Sequence, residues 1–380
     1  MIINKKWFFT ILVTALLISV LLGVKEVKAA QLIFNSGFEA DSQITGGFSD
    51  ITGIDRSVSP PNNWGSDTWD YDFNYVGGGS SQRRAEIVDD PTGAINSKTG
   101  KINRVLHFWM REAPPGTNAR TRVAAQIHQL DRTEWFSRRK IYVHPDMLLL
   151  SDFPGSSRVM FEEIKVIETS RDPHFRITLV WSRLGQSGAR WEVTGEDFRN
   201  GDFWQLQSNA SIPIGEWFTA ETYYKAGNNN TGRYVFAIQR KGKPKEVLFD
   251  VTNWTHHPNI APAPADTWNP QKLYMSSGDD VDWIRSKGGA AQLYFDDWEV
   301  WSTKPGGGDP TSTPTPSKKP TPTGVNIQGD FDRDGDVDIF DYNSLASNFG
   351  STSCGNVADI DGNCKVDIFD YNLLIENFGN

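Results

Sequence analysis

Hydrophobic residues between positions 30 and 302 occur in many short runs, and helical periodicity is almost absent. The runs are rich in β-branched and aromatic residues and are broken by Gly, Pro, Asn and Asp, as in FRITLVWS, RYVFAIQR and QLYFDDWEVW. Short strands separated by turn residues are typical of antiparallel sandwiches. The pattern therefore predicts one large all-β domain over residues 30–302.

The chain ends in two near-copies of one pattern, GDFDRDGDVDIFDYNSLASNFG and ADIDGNCKVDIFDYNLLIENFG. Apolar residues recur at helical spacing in both copies, namely Tyr342, Leu345 and Phe349, then Tyr371, Leu374 and Phe378. One such helix cannot bury a core alone, so the copies are expected to pack together as a small helical domain over residues 324–380. Residues 303–323 are rich in Pro and Thr and predict an extended linker.

Oxygen-bearing residues in both copies fall at alternate positions of a loop. Positions 1, 3, 5, 7, 9 and 12 of the first copy are Asp330, Asp332, Asp334, Asp336, Asp338 and Asp341, and position 6 is Gly335. Positions 1, 3, 5, 7 and 12 of the second are Asp359, Asp361, Asn363, Lys365 and Asp370, and position 6 is Cys364. This is the ligand spacing of a calcium-binding loop, in which glycine at position 6 permits the sharp turn. Ca²⁺ is therefore the expected cofactor, whereas a disordered acidic tail predicts neither the spacing nor the repeat.

The duplicated loop-helix resembles a type I dockerin, the module that docks bacterial extracellular enzymes onto cohesin domains. The resemblance implies a cohesin partner and gives Ile339-Phe340 and Ile368-Phe369 as docking surfaces, since dockerins vary at these positions for partner choice. The alternative is that these pairs pack internally. Asp at position 12 is the usual dockerin residue, whereas Cys364 departs from the pattern and indicates a weaker or distorted second site.

The N-terminus predicts export. Two lysines precede an apolar run from Trp7 to Leu22, and small or apolar residues precede Ala29, as in a secretory signal peptide over residues 1–29. An uncleaved membrane anchor is the alternative, because the run is close to spanning length. Both interpretations place the protein outside the cell, secreted or held at the cell surface. An oxidising compartment permits a disulfide between Cys354 and Cys364, and a free thiol pair is the alternative.

The formal net charge of −9 belongs entirely to the tail from Gly324 onward, and the remainder is balanced. No long basic stripe is present, so nucleic acid is an unexpected partner.

Alternation along three predicted strands separates core-facing from outward residues. In residues 120–128, Thr121, Val123, Ala125 and Ile127 are expected to face the core. In residues 159–166, Met160, Ile164 and Val166 are expected to do so. The opposite faces then carry polar groups. These are Arg122, Gln126 and His128 on the first strand, Glu163 and Lys165 on the second, and Glu221, Tyr223 and Lys225 on the third.

Such a polar face suits β-elimination on a uronate polysaccharide. Arg or Gln neutralises the carboxylate, and His or Tyr removes the C5 proton and protonates the leaving oxygen. A solvated sheet face is the alternative, because surface charge is common.

Residues 31–302 also resemble the concanavalin-like jelly roll of the heparin lyase I and alginate lyase groups. The phrases GEWFTAETYYKAG, LFDVTNWTHHP, NPQKLYMSSG and QLYFDDWEVW carry this resemblance. It implies a lyase acting on an acidic polysaccharide, with His128 as general base or acid, Tyr223 as its partner, and Arg122 with Gln126 as the carboxylate clamp. Glu163 and Lys225 complete the candidate set. The chain lacks the second Tyr that follows the Tyr-Phe-Lys-Ala-Gly motif of alginate lyases.

Carbohydrate-active jelly rolls often share a structural calcium between their two ends. The similar residues here are Glu39 in the opening GFE and Asp296 and Asp297 in the closing strand. An ordinary turn without an ion is the alternative. Two other functions remain open for the domain: a non-catalytic carbohydrate-binding module, favoured by its many tryptophans, and a glycoside hydrolase, which needs paired carboxylates.

Overall fold

The computed structural model describes residues 29–39, 41–64, 70–114, 120–128, 131–166, 174–197, 201–305, 328–331, 337 and 339–377 of the 380-residue chain. The predicted signal peptide, apart from Ala29, and most of the predicted linker lie outside the described residues. Two compact units are present, Met1–Asp309 and Pro310–Asn380. Within the described ranges, no helix is long and apolar enough to cross a membrane.

The first unit contains two large antiparallel sheets, so the all-β prediction is confirmed. The first sheet comprises β1 (Leu32–Ser36), β7 (Arg83–Asp89), β8 (Arg104–Met110), β10 (Glu134–Val143), β15 (Trp217–Lys225), β16 (Arg233–Arg240), β17 (Glu246–Thr252) and β19 (Ala291–Trp301). Its order is β17-β16-β15-β10-β19-β8-β7, and β1 also pairs with β19. The two ends of the domain therefore lie side by side, as their sequences predict.

The second sheet comprises β6 (Asp70–Val76), β9 (Thr121–His128), β11 (Arg158–Val166), β12 (Phe175–Ser182), β13 (Arg190–Asp197), β14 (Gly201–Ser208) and β18 (Thr267–Met275). Its order is β14-β13-β12-β11-β18-β9-β6. Two small hairpins add β2 (Gln43–Ile44) with β3 (Ile51–Thr52), and β4 (Ile54–Asp55) with β5 (Asn62–Asn63). A 3₁₀ helix (Pro145–Leu150) and α1 (Gly278–Ser286) complete the described elements of this unit.

Aromatic side chains fill the space between the two sheets. Phe161 stacks on Trp181 at a centroid distance of 4.0 Å, and Trp135 packs on Trp268 at the same distance. These four side chains are fully buried. Burial of such large apolar surfaces is the dominant stabilising contribution of a sandwich core.

A buried ion pair crosses this apolar interior. Arg139 of β10 donates from Nη2 to Glu162 Oε2 of β11 at 2.6 Å, and the two side chains are 0% and 1% exposed. Glu162 also accepts hydrogen bonds from Thr222 Oγ1 at 2.8 Å and Trp268 Nε1 at 3.1 Å. The pair therefore ties the first sheet to the second.

The second unit contains α2 (Ile339–Asn348) and α3 (Ile368–Glu376), where the helical spacing predicts helices. Its core is made of Val337, Leu345, Ala358, Val366 and Leu374. Phe349 and Tyr342, expected on the packed face, are 55% and 36% exposed. Phe349 follows the last residue of α2, so it does not lie on the buried helix face.

Candidate functional site

The outer face of the second sheet carries part of the predicted site. In β9, Thr121, Val123, Ala125 and Ile127 are buried, and the last three belong to the core between the sheets. Arg122, Gln126 and His128 therefore point to the opposite, outer side, as alternation predicts. Ala124 lies between Arg122 and Gln126 on this face.

The neighbouring strand β18 adds two residues that the sequence prediction did not include. Lys272 pairs with Ala124, and Tyr274 pairs with Arg122. Leu273 and Met275 belong to the core, so Lys272 and Tyr274 share the outer face with Arg122. In the phrase NPQKLYMSSG the apolar Leu273 and Met275 alternate with Lys272 and Tyr274, and this alternation could have indicated Lys272 and Tyr274 from the sequence.

A β-bulge in β11 decides which of its side chains reach this face. The register with β12 and β18 shifts after Met160, so Phe161 and Ile164 both belong to the core. The prediction that Met160 faces the core is wrong, because the extra residue of the bulge reverses the alternation there. Glu162 points into the core and Glu163 outward, so the two adjacent glutamates serve different sides of the sheet.

Lys272 and Glu163 form a buried pair on the outer face. Lys272 Nζ donates to Glu163 Oε2, and the two residues are about equally buried, with 2% exposure each. Burial lowers the pKa of Lys272 to about 7, and nearby Arg122 and Lys165 reinforce the effect against the opposing charge of Glu163. Burial alone would raise the pKa of Glu163, but Lys272, Lys165 and Arg176 together hold it at about 2. Lys272 can therefore lose its proton near neutral pH.

Two donors beside Lys272 have no acceptor. Arg122 donates from Nη2 to Asn74 Oδ1 of β6, but its Nε is buried and makes no hydrogen bond. Gln126 is 1% exposed, and its Nε2 makes no hydrogen bond either. Both atoms have almost no exposed surface, so an acceptor on a bound molecule reaches them only if neighbouring side chains move.

His128 lies at the far end of β9 from Arg122. His128 is six positions after Arg122, which is about 20 Å along a strand. The Nε2 atom of His128 is 3.7 Å from Asp72 Oδ2. His128 and Arg122 therefore cannot act on the same sugar, and the predicted pairing of this base with the whole clamp is wrong.

Tyr223 and Lys225 lie on the first sheet. Strand β15 pairs with β10 and β16, and Tyr223 packs on the outer side of that sheet with Phe136 and Val235. Its hydroxyl donates to Glu134 Oε1 at 3.0 Å. The core, with sheets about 10 Å apart, separates this face from His128. The prediction that Tyr223 and Lys225 act with His128 is therefore wrong.

Glu39, Asp296 and Asp297 lie near the pairing of β1 with β19, but they do not form a group of three carboxylates within 4.8 Å of one another, and each contacts its own partner. Asn96 Nδ2 donates to Glu39 Oε1, Asn103 Nδ2 donates to Asp296 Oδ2 at 3.0 Å, and Lys140 pairs with Asp297. Burial raises the pKa of Glu39. Burial, reinforced by the charge of Asp297, raises the pKa of Asp296 to about 8.

The second acidic loop brings three of its predicted ligands together. Oxygens of Asp359, Asp361 and Asp370 lie within 4.8 Å of one another. Asp370 Oδ1 also accepts from the amide of Ile360 at 2.6 Å. Asn363 and Lys365 follow in the same loop, where the Lys365 amide donates to Asn363 Oδ1 at 2.8 Å.

The first acidic loop is described only at its ends. Asp341 Oδ1 accepts from the amide of Phe331 at 2.6 Å, which matches the contact of Asp370 in the second copy. Asp330 is described, whereas Asp332, Asp334 and Asp336 lie outside the described residues. The Cys354–Cys364 disulfide is present, so the bridged alternative of the sequence analysis is the observed one.

No protein-family model matches this chain, and no curated protein matches it. Among solved structures, the alginate lyase Aly36B aligns with 14% identity over 73% of this chain and 97% of its own, at a TM-score of 0.40. The PL-14 alginate lyase from Aplysia kurodai aligns with 9% identity over 58% of this chain and 87% of its own, at a TM-score of 0.39. The endo-β-1,4-glucuronan lyase from Trichoderma reesei aligns with 12% identity over 61% of this chain and 95% of its own, at a TM-score of 0.35. These TM-scores are too low to transfer a function to this chain.

Proposed function

We propose that the first unit is a polysaccharide lyase that cleaves a uronic-acid polymer by β-elimination on the outer face of its second sheet. The observation that carries the proposal is the position of Lys272 between Arg122 and Gln126, whose Nε and Nε2 atoms have no acceptor. A bound uronate carboxylate would displace the side chains that cover these two atoms and provide their acceptors. Tyr274, beside Lys272, is half-buried, so its side chain can be reached from solvent.

Each step of the elimination has a residue in place. Arg122 and Gln126 bind the carboxylate and stabilise the negative charge that develops when C5 loses its proton. Neutral Lys272 accepts that proton, since its pKa of about 7 leaves a substantial unprotonated fraction at neutral pH. The electron pair forms the C4–C5 double bond, the C4–O bond breaks, and the Tyr274 hydroxyl protonates the leaving oxygen. Tyr274 lies beside Lys272, whose Nζ is 5.2 Å from the centre of its ring.

The glutamates of this face do not suit a glycoside hydrolase. Hydrolysis requires one carboxyl group that stays protonated and a second one across the cleft. Glu163 has a pKa of about 2 and cannot serve as the acid. Glu192 and Glu196 form ion pairs with Arg190 at 2.7 Å and Arg176 at 2.8 Å, and Glu162 faces the core.

Product analysis tests the lyase proposal against its two rivals. The full chain, incubated with alginate, polyglucuronate and other uronate polymers, should release unsaturated ends that absorb ultraviolet light on at least one of them. Release of saturated reducing ends alone would identify a hydrolase. Retention of a polymer without any new ends would identify a binding module, and either result contradicts the proposal.

The proposal extends to the second unit as a calcium-dependent dockerin on an exported protein. The donor set of Asp359, Asp361 and Asp370 consists of hard oxygen ligands, which fits Ca²⁺. A bound ion offsets the repulsion among the carboxylates and orders the loop. A similar ion at Glu39 and Asp296 is proposed to hold the two ends of the first unit, where β1 pairs with β19.

Exposed apolar side chains support Ile368-Phe369 as a docking surface. Ile368 is 53% and Phe369 is 63% exposed, so this pair does not pack internally. Exposed adjacent apolar residues are typical of interaction sites. The side chains of the corresponding Ile339-Phe340 pair lie outside the described residues.

Replacing Ile368 and Phe369 by Ser is expected to weaken capture by a cognate cohesin at least about tenfold, because both side chains lose buried contact area. Surface plasmon resonance on an immobilised cohesin measures this, with Val357→Ser, also exposed, as the matched control. A chelator should abolish capture of the unaltered chain. Undiminished capture in both conditions contradicts the dockerin proposal.

A further inference from the structure

Cys364 adopts a left-handed backbone conformation in the second acidic loop. Its φ is 65°, and it stands at position 6, where the calcium-loop pattern has glycine and the first copy has Gly335. An L-residue is strained in this conformation because its Cβ crowds the neighbouring backbone. Something in the surrounding structure must therefore hold Cys364 there.

The disulfide to Cys354 supplies this constraint. Cys354 belongs to the segment after α2, which is itself fixed against the loop by backbone hydrogen bonds. The Val366 amide donates to the Ser351 carbonyl at 2.9 Å, and the Gly350 amide donates to the Val366 carbonyl at 2.8 Å. The bridge thus joins position 6 to a second point on the same segment.

The held conformation directs the loop backbone toward the acidic ligands. The Cys364 amide donates to Asp359 Oδ2 at 2.8 Å, and the Asn363 amide donates to Asp359 Oδ1 and Asp361 Oδ1, each at 3.0 Å. These bonds orient two carboxylates whose oxygens lie within 4.8 Å of those of Asp370. The turn that glycine normally permits is therefore formed here with a cysteine.

We propose that the Cys354–Cys364 disulfide replaces the position-6 glycine of the second calcium loop and keeps that loop in its ion-binding shape before Ca²⁺ binds. This inference rests on the proposed calcium site. It reverses the expectation that Cys364 weakens the second site, because the bridge offsets the strain of the left-handed residue. The sequence of the first loop has Gly335 at position 6 and no cysteine.

Two double variants of the full chain separate the bridge from the residue type. Cys354→Ser with Cys364→Ser removes the bridge and leaves a strained L-residue, so calcium affinity at the second site should fall about tenfold or more. Cys354→Ser with Cys364→Gly removes the bridge but restores glycine, so affinity should stay within about threefold of wild type. Calorimetric titration with CaCl₂ measures both, and Asp361→Asn identifies which binding step belongs to the second site.

Hydrogen exchange of the calcium-free chain gives a second measurement. The amides of Asn363 and Cys364 should exchange more slowly in the wild type than in the serine pair, because the bridge holds their hydrogen bonds to Asp359. If the serine pair misfolds, reduction of the wild type by dithiothreitol provides the same comparison. That reaction converts the one disulfide into two thiols and oxidises the dithiol, and it should lower second-site affinity likewise.

Three results of these experiments would contradict the proposal about the disulfide or the calcium site beneath it. Equal affinity of the serine pair and the wild type overturns the proposal, as does an equal loss in the serine and glycine pairs. A wild-type chain that binds no calcium removes the calcium site itself, which is a different result and overturns the dockerin proposal as well.

Discussion

Replacing Lys272 by Ala is expected to lower the rate of β-elimination about a thousandfold, because it removes the group that accepts the C5 proton. The measurement is the release of unsaturated ends from a uronate polymer that the wild type cleaves. Lys272→Arg should be nearly as inactive, since a guanidinium stays protonated and cannot serve as a base, although it keeps a positive charge beside Glu163. This pair of variants distinguishes a catalytic lysine from one that only balances Glu163.

A lysine on the opposite face provides the matched control. Lys225→Ala removes a half-buried lysine from the outer side of the first sheet and should leave elimination within about twofold of wild type, because surface changes away from a site have small effects. If Lys272→Ala retains near-native activity while its circular dichroism is unchanged, the base lies elsewhere. Loss of activity in Lys225→Ala alone would move the site to the first sheet.

The pH dependence of the elimination should follow the titration of Lys272. Below its pKa of about 7 the ammonium holds its proton and cannot accept another, so the rate should rise about tenfold per pH unit up to that value and then level off. A rate that is constant between pH 5 and pH 9 is incompatible with Lys272 as the base.

Replacing Glu162 by Gln is expected to destabilise the first unit by about 3–5 kcal/mol, because Arg139 is left as an unpaired charge in the core. Glutamine keeps an acceptor for Trp268 Nε1, so the loss reports mainly the ion pair. Urea unfolding followed by tryptophan fluorescence measures the free energy of unfolding of this unit, since residues 310–380 contain no tryptophan.

A surface pair and a double variant serve as controls for that prediction. Lys245 and Glu221 are 2.9 Å apart with 42% and 12% exposure, so Glu221→Gln should cost at most about 1 kcal/mol. Replacing Arg139 and Glu162 together by Met should recover part of the loss, because no buried charge remains, although Thr222 and Trp268 lose their acceptor. Equal stability of Glu162→Gln and wild type contradicts a structural role for the pair.

Local sequence patterns determined several features of this protein correctly. The alternation of β9 assigns Val123, Ala125 and Ile127 to the core because successive side chains of any strand point to opposite faces. The position of α3 follows from the spacing of Tyr371 and Leu374, and the convergence of Asp359 with Asp361 follows from a loop of fixed length. Each of these relations is set by residues a few positions apart.

Long-range strand pairing decided which of these faces form one site. Lys272 lies opposite Ala124 only because β18 pairs with β9, whereas β15 pairs with β10 and carries Tyr223 to the other sheet. Alternation shows which face of its own strand a side chain occupies, but not the sheet to which that strand belongs. His128 and Tyr223 were therefore predicted in one catalytic site although they lie on different sheets. The bulge after Met160 likewise depends on both neighbouring strands. The sequence alone therefore determined the strands, the second acidic loop and the outward side of β9, and only the tertiary structure placed Lys272 beside Arg122, because that contact joins segments far apart in the chain.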